Sequence, residues 1–147
     1  MKEAEELAYL AGILDGEGTL RLPVVYQRNT GHPRYYAEVN VYNTNPHLID
    51  WLLEKWGGNF YYRHRGNKKH KPEYTWRIGG EKAIPLIKSV YPYLILKKEH
   101  ADILLSLWGL HEEYGIRSGV RVPEEYESKV GALAKAIHIL NKRGGVV

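Results

Sequence analysis

The segment Leu7-Ala8-Tyr9-Leu10-Ala11-Gly12-Ile13-Leu14 carries no charge on any side. Acids at Glu3, Glu5 and Glu6 precede it, where they suit the positive end of a helix dipole, so the spacing predicts a helix over 3–14. A helix that is apolar all round must be covered on every side. One side can face the chain's own core; the other needs a second partner. Ala8, Gly12 and Gly16 recur every four residues and form a smooth groove into which another backbone can pack. Glycine inside a helix costs about 1 kcal/mol against alanine, and a helix-to-helix contact would offset that. Ala8, Gly12, Ile13 and Gly16 are therefore candidates for such a contact, with a core helix carrying incidental glycines as the alternative.

The remaining pattern is read as strand pair, helix, strand pair, then helices. Residues 19–27 alternate like a strand, with Leu20, Leu22, Val24 and Tyr26 on one face. Turn chemistry at 29–33 precedes a second strand in which Ala37, Val39 and Val41 face inward. Asn45-Pro46 looks like an N-cap and first helical position, and Gly57-Gly58 ends that helix at Trp56. Strands follow near 59–65 and 74–78, then helices over 81–90, 98–114 and 123–141. The result is an α+β layout, αββαββ with C-terminal helices, in which a four-stranded antiparallel sheet has helices on one face. Its 147 residues suit one domain, 1–147, with a core that needs no staples. There is no cysteine, which excludes disulfide frameworks, thiolate zinc sites and cysteine nucleophiles. The seven histidines form no paired metal-ligand pattern.

The sheet's other face would be open. Its candidate residues are Arg21, Gln27, Arg34, Glu38, Asn40, Tyr42, Arg63, Arg65, Thr75 and Arg77. The run from Arg63 to Lys71, including Lys68 and Lys69, is basic without an acid and falls at a hairpin tip. A formal net charge of +4 fits a nucleic-acid partner, although a solvated sheet face would look the same. No apolar run approaches the roughly 20 residues of a membrane span. The acidic N-terminus is unlike a signal peptide, so the expected location is cytoplasmic or organellar, not secreted.

Asp15 and Glu17 stand at the end of the small-residue groove, flanked by Gly16 and Gly18. Asp15 is expected to hydrogen-bond the backbone of its own turn, and Glu17 to project toward the open sheet face. Two copies of the helix side by side would bring two Glu17 carboxylates together, and these repel unless a hard divalent cation lies between them. An isolated surface acid is the alternative, and spacing by itself favours it.

Leu10-Ala11-Gly12-Ile13-Leu14-Asp15-Gly16-Glu17-Gly18 resembles the nine-residue signature of the LAGLIDADG homing endonucleases. The αββαββ order is that family's fold. Pro92-Tyr93-Leu94-Ile95-Leu96-Lys97-Lys98 looks like its segment leading to an active-site lysine, and Asn141-Lys142-Arg143-Gly144 like a common ending. The resemblance implies a single-motif, homodimeric, intron-encoded endonuclease that makes a double-strand cut in a long, roughly palindromic DNA target. It makes Glu17 the catalytic acid and a ligand of Mg2+, with Mn2+ or Ca2+ as substitutes, and the Gly16 carbonyl a second metal contact. Lys97, or its neighbour Lys98, becomes the active-site lysine. Asn43 becomes the polar residue at the end of the second strand, holding a water. Two readings without cleavage stand beside this one: an intron RNA maturase, or a sequence-specific DNA-binding protein.

Overall fold

The computed structural model describes residues 2–64, 66, 71–117 and 119–144. Helix α1 spans Glu3–Glu17, one turn beyond the expected stop at Leu14. Its last turn persists because Gly18 N–H donates back to the Ile13 and Leu14 carbonyls. A Cβ on Gly18 would lie 2.7 Å from Leu14 Cα, so glycine alone lets the chain double back there into β1 (Gly18–Arg21).

The expected strand over 19–27 is broken. Leu22 and Pro23 separate β1 from β2 (Val24–Tyr26), and Tyr36-Ala37 separates β3 (Pro33–Tyr35) from β4 (Glu38–Asn43). Pro23 has no N–H to continue a ladder. Only its carbonyl is used, accepting from Tyr36 N–H at 3.3 Å. Beyond the break β2 and β3 form their own ribbon, with Val24 opposite Tyr35 and Val25 opposite Arg34. Leu22 is buried as expected, but Val24 and Tyr26 are exposed because the ribbon runs past the core.

Asn45 caps α2 (Pro46–Trp56), its side chain accepting from His47 N–H at 2.9 Å. Strands β5 (Asn59–Arg63) and β6 (Glu73–Gly79) follow, then a 3-10 turn at Gly80–Lys82 and α3 (Ala83–Val90). A second 3-10 turn at Tyr91–Tyr93 leads to α4 (Lys98–Glu113) and α5 (Glu124–Gly144). The main sheet runs β1-β4-β6-β5, antiparallel throughout. This is the α+β architecture expected, with a four-stranded antiparallel sheet.

The core fills one face of that sheet. Leu10, Ala11 and Leu14 of α1, Ile49 and Leu52 of α2, and Ile87 and Val90 of α3 bury against Val39, Val41 and Trp76. The Trp76 indole N–H donates to the Gly57 carbonyl at 2.6 Å. Gly58 has φ +91°, and a Cβ there would lie 2.7 Å from the Arg77 carbonyl oxygen, so the turn into β5 requires glycine. Among the described residues, no helix is long and apolar enough to cross a membrane.

Candidate active site

The last turn of α1 is the negative end of a helix dipole and carries two acids, Asp15 and Glu17, with no base of its own. Such an end calls for donors and cations from elsewhere. The segment before α4 supplies them. The Asp15 carboxylate accepts from the backbone N–H groups of Ile95 at 2.8 Å, Leu96 at 3.1 Å and Lys97 at 3.0 Å. Lys97 Nζ donates to the Asp15 carbonyl at 2.9 Å. Asp15 therefore staples a distant segment instead of bonding its own turn, which corrects the sequence expectation. A carboxylate can saturate three consecutive N–H groups, whereas the Gly18 turn already satisfies itself.

The staple sets the two lysines apart. Lys97 is half-buried against α1, while Lys98 is exposed, with its ammonium 5.5 Å from the centre of the Tyr91 ring. Burial holds the Lys97 ammonium below the usual lysine value, with the Asp15 charge pulling the other way. Asp15→Ala leaves three N–H groups without their acceptor and is expected to cost about 2–4 kcal/mol in urea unfolding. It should also slow any chemistry that needs Lys97 in place.

Glu17 is exposed at the end of α1, and its Oε2 accepts from Asn43 Nδ2 at 2.9 Å. Asn43 is the last residue of β4, and its Oδ1 accepts from Asn45 N–H at 2.7 Å. The amide is thus held from behind and aims its donor at Glu17. The helix end so gathers Glu17, Asn43 and Lys97, the three candidate catalytic residues. Gly16, the second candidate metal contact, lies in the same turn and is exposed.

His100, on the first turn of α4, is buried, and its Nδ1 has no partner among the described residues. Burial holds its imidazole below the usual histidine value, as does the Lys97 ammonium; Glu99, an Asn141 hydrogen bond and Asp15 oppose this. The unfolded chain then takes up the proton first, so folding stability is expected to fall as pH drops through about 6.5. The loss ends once the folded form is protonated as well. Thermal melts across this range should show the slope in the native protein and less of it in His100→Gln.

The small-residue face of α1 is uncovered. Ala8, Tyr9, Gly12 and Gly16 are exposed and Ile13 is partly so. A Cβ built on Gly12 or Gly16 meets nothing within 4 Å, so nothing described in the chain itself explains either glycine.

The sheet's open face carries Arg21, Glu38, Asn40, Tyr42, Thr75 and Arg77, as alternation predicts. Glu38 and Asn40 are nevertheless buried, at 1% and 0% exposure, which corrects their assignment as direct DNA contacts. Long arginine side chains lie over them. Glu38 Oε1 is 3.2 Å from Arg21 Nη1 and 3.4 Å from Arg77 Nε. Register also puts Thr19 on this face, where strand alternation has it beside Arg21, and adds Asn59 and Tyr61, which alternation from Arg63 along β5 could have found. At the end of β2, the Gln27 side-chain amide lies beside Arg34, 2.9 Å from Nη2. Arg63 is exposed at the end of β5. Arg65, Lys68 and Lys69 lie outside the described residues.

The chain aligns over 93% of its length with the homing endonuclease I-CvuI in complex with its target, covering 82% of that chain at 16% identity and TM-score 0.74. The fold is that of the LAGLIDADG homing endonucleases. The homing endonuclease I-TnaI shares it at TM-score 0.67 and 16% identity, with 93% of this chain and 96% of that one covered. The LAGLIDADG homing endonuclease I-SmaMI bound to cleaved DNA matches 88% of this chain at TM-score 0.70 and 14% identity, and there the chain spans 43% of the partner's length. No family model and no curated protein sequence matches. Helix α1 carries residues 10–17 of the segment that resembles the family's signature, and Gly18 opens β1.

Proposed function

We propose that the chain is a single-motif LAGLIDADG homing endonuclease, one endonuclease domain per chain, which pairs with a second copy to cut both strands of a site-specific DNA target. The observation that carries this reading is the end of α1, where an exposed Glu17 is held by Asn43 beside the half-buried Lys97. A duplex has two strands, so one such site per chain calls for two chains. The bare glycine face of α1 suits that pairing, and the target would then be long and roughly palindromic. The gene would be intron-encoded, and the chain would work in the cytoplasm or an organelle.

A hard divalent cation fits the donor set. Three N–H groups take up the Asp15 carboxylate, which leaves the exposed Glu17 carboxylate as a hard oxygen donor at the negative end of the helix. Among the described residues no three acidic or imidazole groups converge, so one chain builds no closed cage. That suits Mg2+, which keeps several waters, with Mn2+ or Ca2+ as substitutes. Structures of I-CvuI on DNA were determined with Ca and with Mg. Glu17 and the Gly16 carbonyl would hold the ion, which when bound supplies a Lewis acid at the scissile phosphate. Asn43 keeps the Glu17 carboxylate turned toward the duplex. Lys97 can offset phosphate charge or orient the attacking water. Arg21, Gln27, Arg34, Arg63 and Arg77 are the base-reading and phosphate-contacting candidates of the open face and ribbon, with Tyr42 and Thr75 between them.

A plasmid carrying the host gene's joined flanks, with the open reading frame's insertion removed, tests the reading. Protein and Mg2+ are expected to linearise it. Tight binding without linearisation at any temperature would favour a maturase or a non-cleaving DNA-binding protein.

A further inference from the structure

Glu38 is buried in the middle of a face otherwise rich in arginine. It lies on β4, opposite Arg21 of β1, and Asn40 two residues on lies opposite Arg77 of β6. Its Oε1 accepts from Arg21 Nη1 at 3.2 Å and from Asn40 Nδ2 at 2.7 Å. Arg77 Nε donates to Asn40 Oδ1 at 3.3 Å and sits 3.4 Å from the Glu38 carboxylate. The Arg77 guanidinium also lies 5.0 Å from the centre of the Tyr61 ring. Burial and the Glu38 charge raise the pKa of the neighbouring Tyr36 hydroxyl, with Arg77 and Arg21 pulling the other way.

Exposure separates the roles. The Glu38 side chain is 2% exposed, whereas Arg21 and Arg77 are 43% and 37% exposed. A base edge can reach the arginines but not the acid. A carboxylate on a DNA-facing sheet also repels phosphates, so its presence needs a reason. Free arginine side chains surrender about 2 kcal/mol of rotamer freedom on binding, and they can seize a nearby phosphate as readily as a base. Fixing the guanidiniums beforehand removes both problems, and each keeps further N–H donors for a guanine edge.

We infer that Glu38 is a positioning residue, a buried pivot that holds Arg21 and Arg77 in one arrangement so that the pair reads base edges instead of loosely held phosphates. This rests on the proposed DNA-binding function. Glu38 touches no DNA itself. It contributes to sequence discrimination and nothing to general affinity.

Selection from a randomised double-stranded DNA pool in Ca2+ tests this, comparing the native protein with Glu38→Gln, Arg21→Ala and Arg77→Ala. In Glu38→Gln, preference is expected to drop about tenfold at the positions that the two arginine variants also lose. Affinity for unselected DNA should hold or rise, because a negative charge is gone. An unchanged base profile in Glu38→Gln overturns the inference, as does equal weakening on all sequences, which a merely structural role would give. A native protein that enriches no sequence overturns the function reading and this inference with it.

One measurement on the native protein stands even if Glu38→Gln does not fold. The Arg77 Nε–H signal, assigned by its disappearance in Arg77→Lys, is expected to exchange slowly in free protein. Exchange as fast as in free arginine would overturn the pivot.

Discussion

Glu17→Gln is expected to slow DNA cleavage about a thousandfold or more, near 4 kcal/mol of transition-state stabilisation, while leaving DNA binding intact. The substitution keeps the shape of the side chain. Its remaining amide oxygen can still accept from Asn43 Nδ2, so the end of α1 and the staple behind it need not move. What disappears is the negative charge, and with it the proposed hold on a divalent cation. Cleavage should be followed in single turnover on a supercoiled plasmid in Mg2+, and binding by gel shift in Ca2+. Cutting at the native rate would remove Glu17 from the mechanism.

Gly12→Leu should break the proposed dimer without unfolding the chain. A Cβ on Gly12 meets nothing within 4 Å, so each separate chain has room for the new side chain. Replacing glycine inside a helix also removes a penalty of somewhat under 1 kcal/mol, since leucine is a good helix former. A bulky side chain in the groove, by contrast, holds a second helix off by several ångströms. Sedimentation should report a single chain of 17.0 kDa in the variant and twice that mass in the native protein. Far-ultraviolet circular dichroism should be unchanged, and double-strand cutting lost. A variant still sedimenting at the doubled mass would rule out the α1 face as the contact.

Local pattern carried the sequence reading wherever the controlling interactions were local. The charge-free run and its glycines located α1 and its bare face. Alternation put Arg21, Asn40 and Arg77 on one side of the sheet, and Asn45-Pro46 and Gly57-Gly58 bounded α2 closely. Non-local interactions were not legible. Asp15 reaches N–H groups some 80 residues away, and nothing in residues 10–18 points to them. Glu38 and Asn40 were put on the correct face but not at the correct depth. Alternation tells which way a side chain leaves the sheet, and it is silent on whether longer neighbours fold over it. The break at Leu22-Pro23 had its signal in Pro23, whose missing N–H an apolar alternation does not register.

Glu17, Asn43 and Lys97 all reach the end of α1 from the same chain. This has a genetic consequence for a paired enzyme. When Glu17→Gln and Lys97→Ala subunits are mixed, neither end of α1 in such a pair keeps all three residues, so the two alleles are expected not to rescue each other. A native subunit paired with Glu17→Gln keeps all three residues at one of its two α1 ends and is expected to leave a nick in one strand.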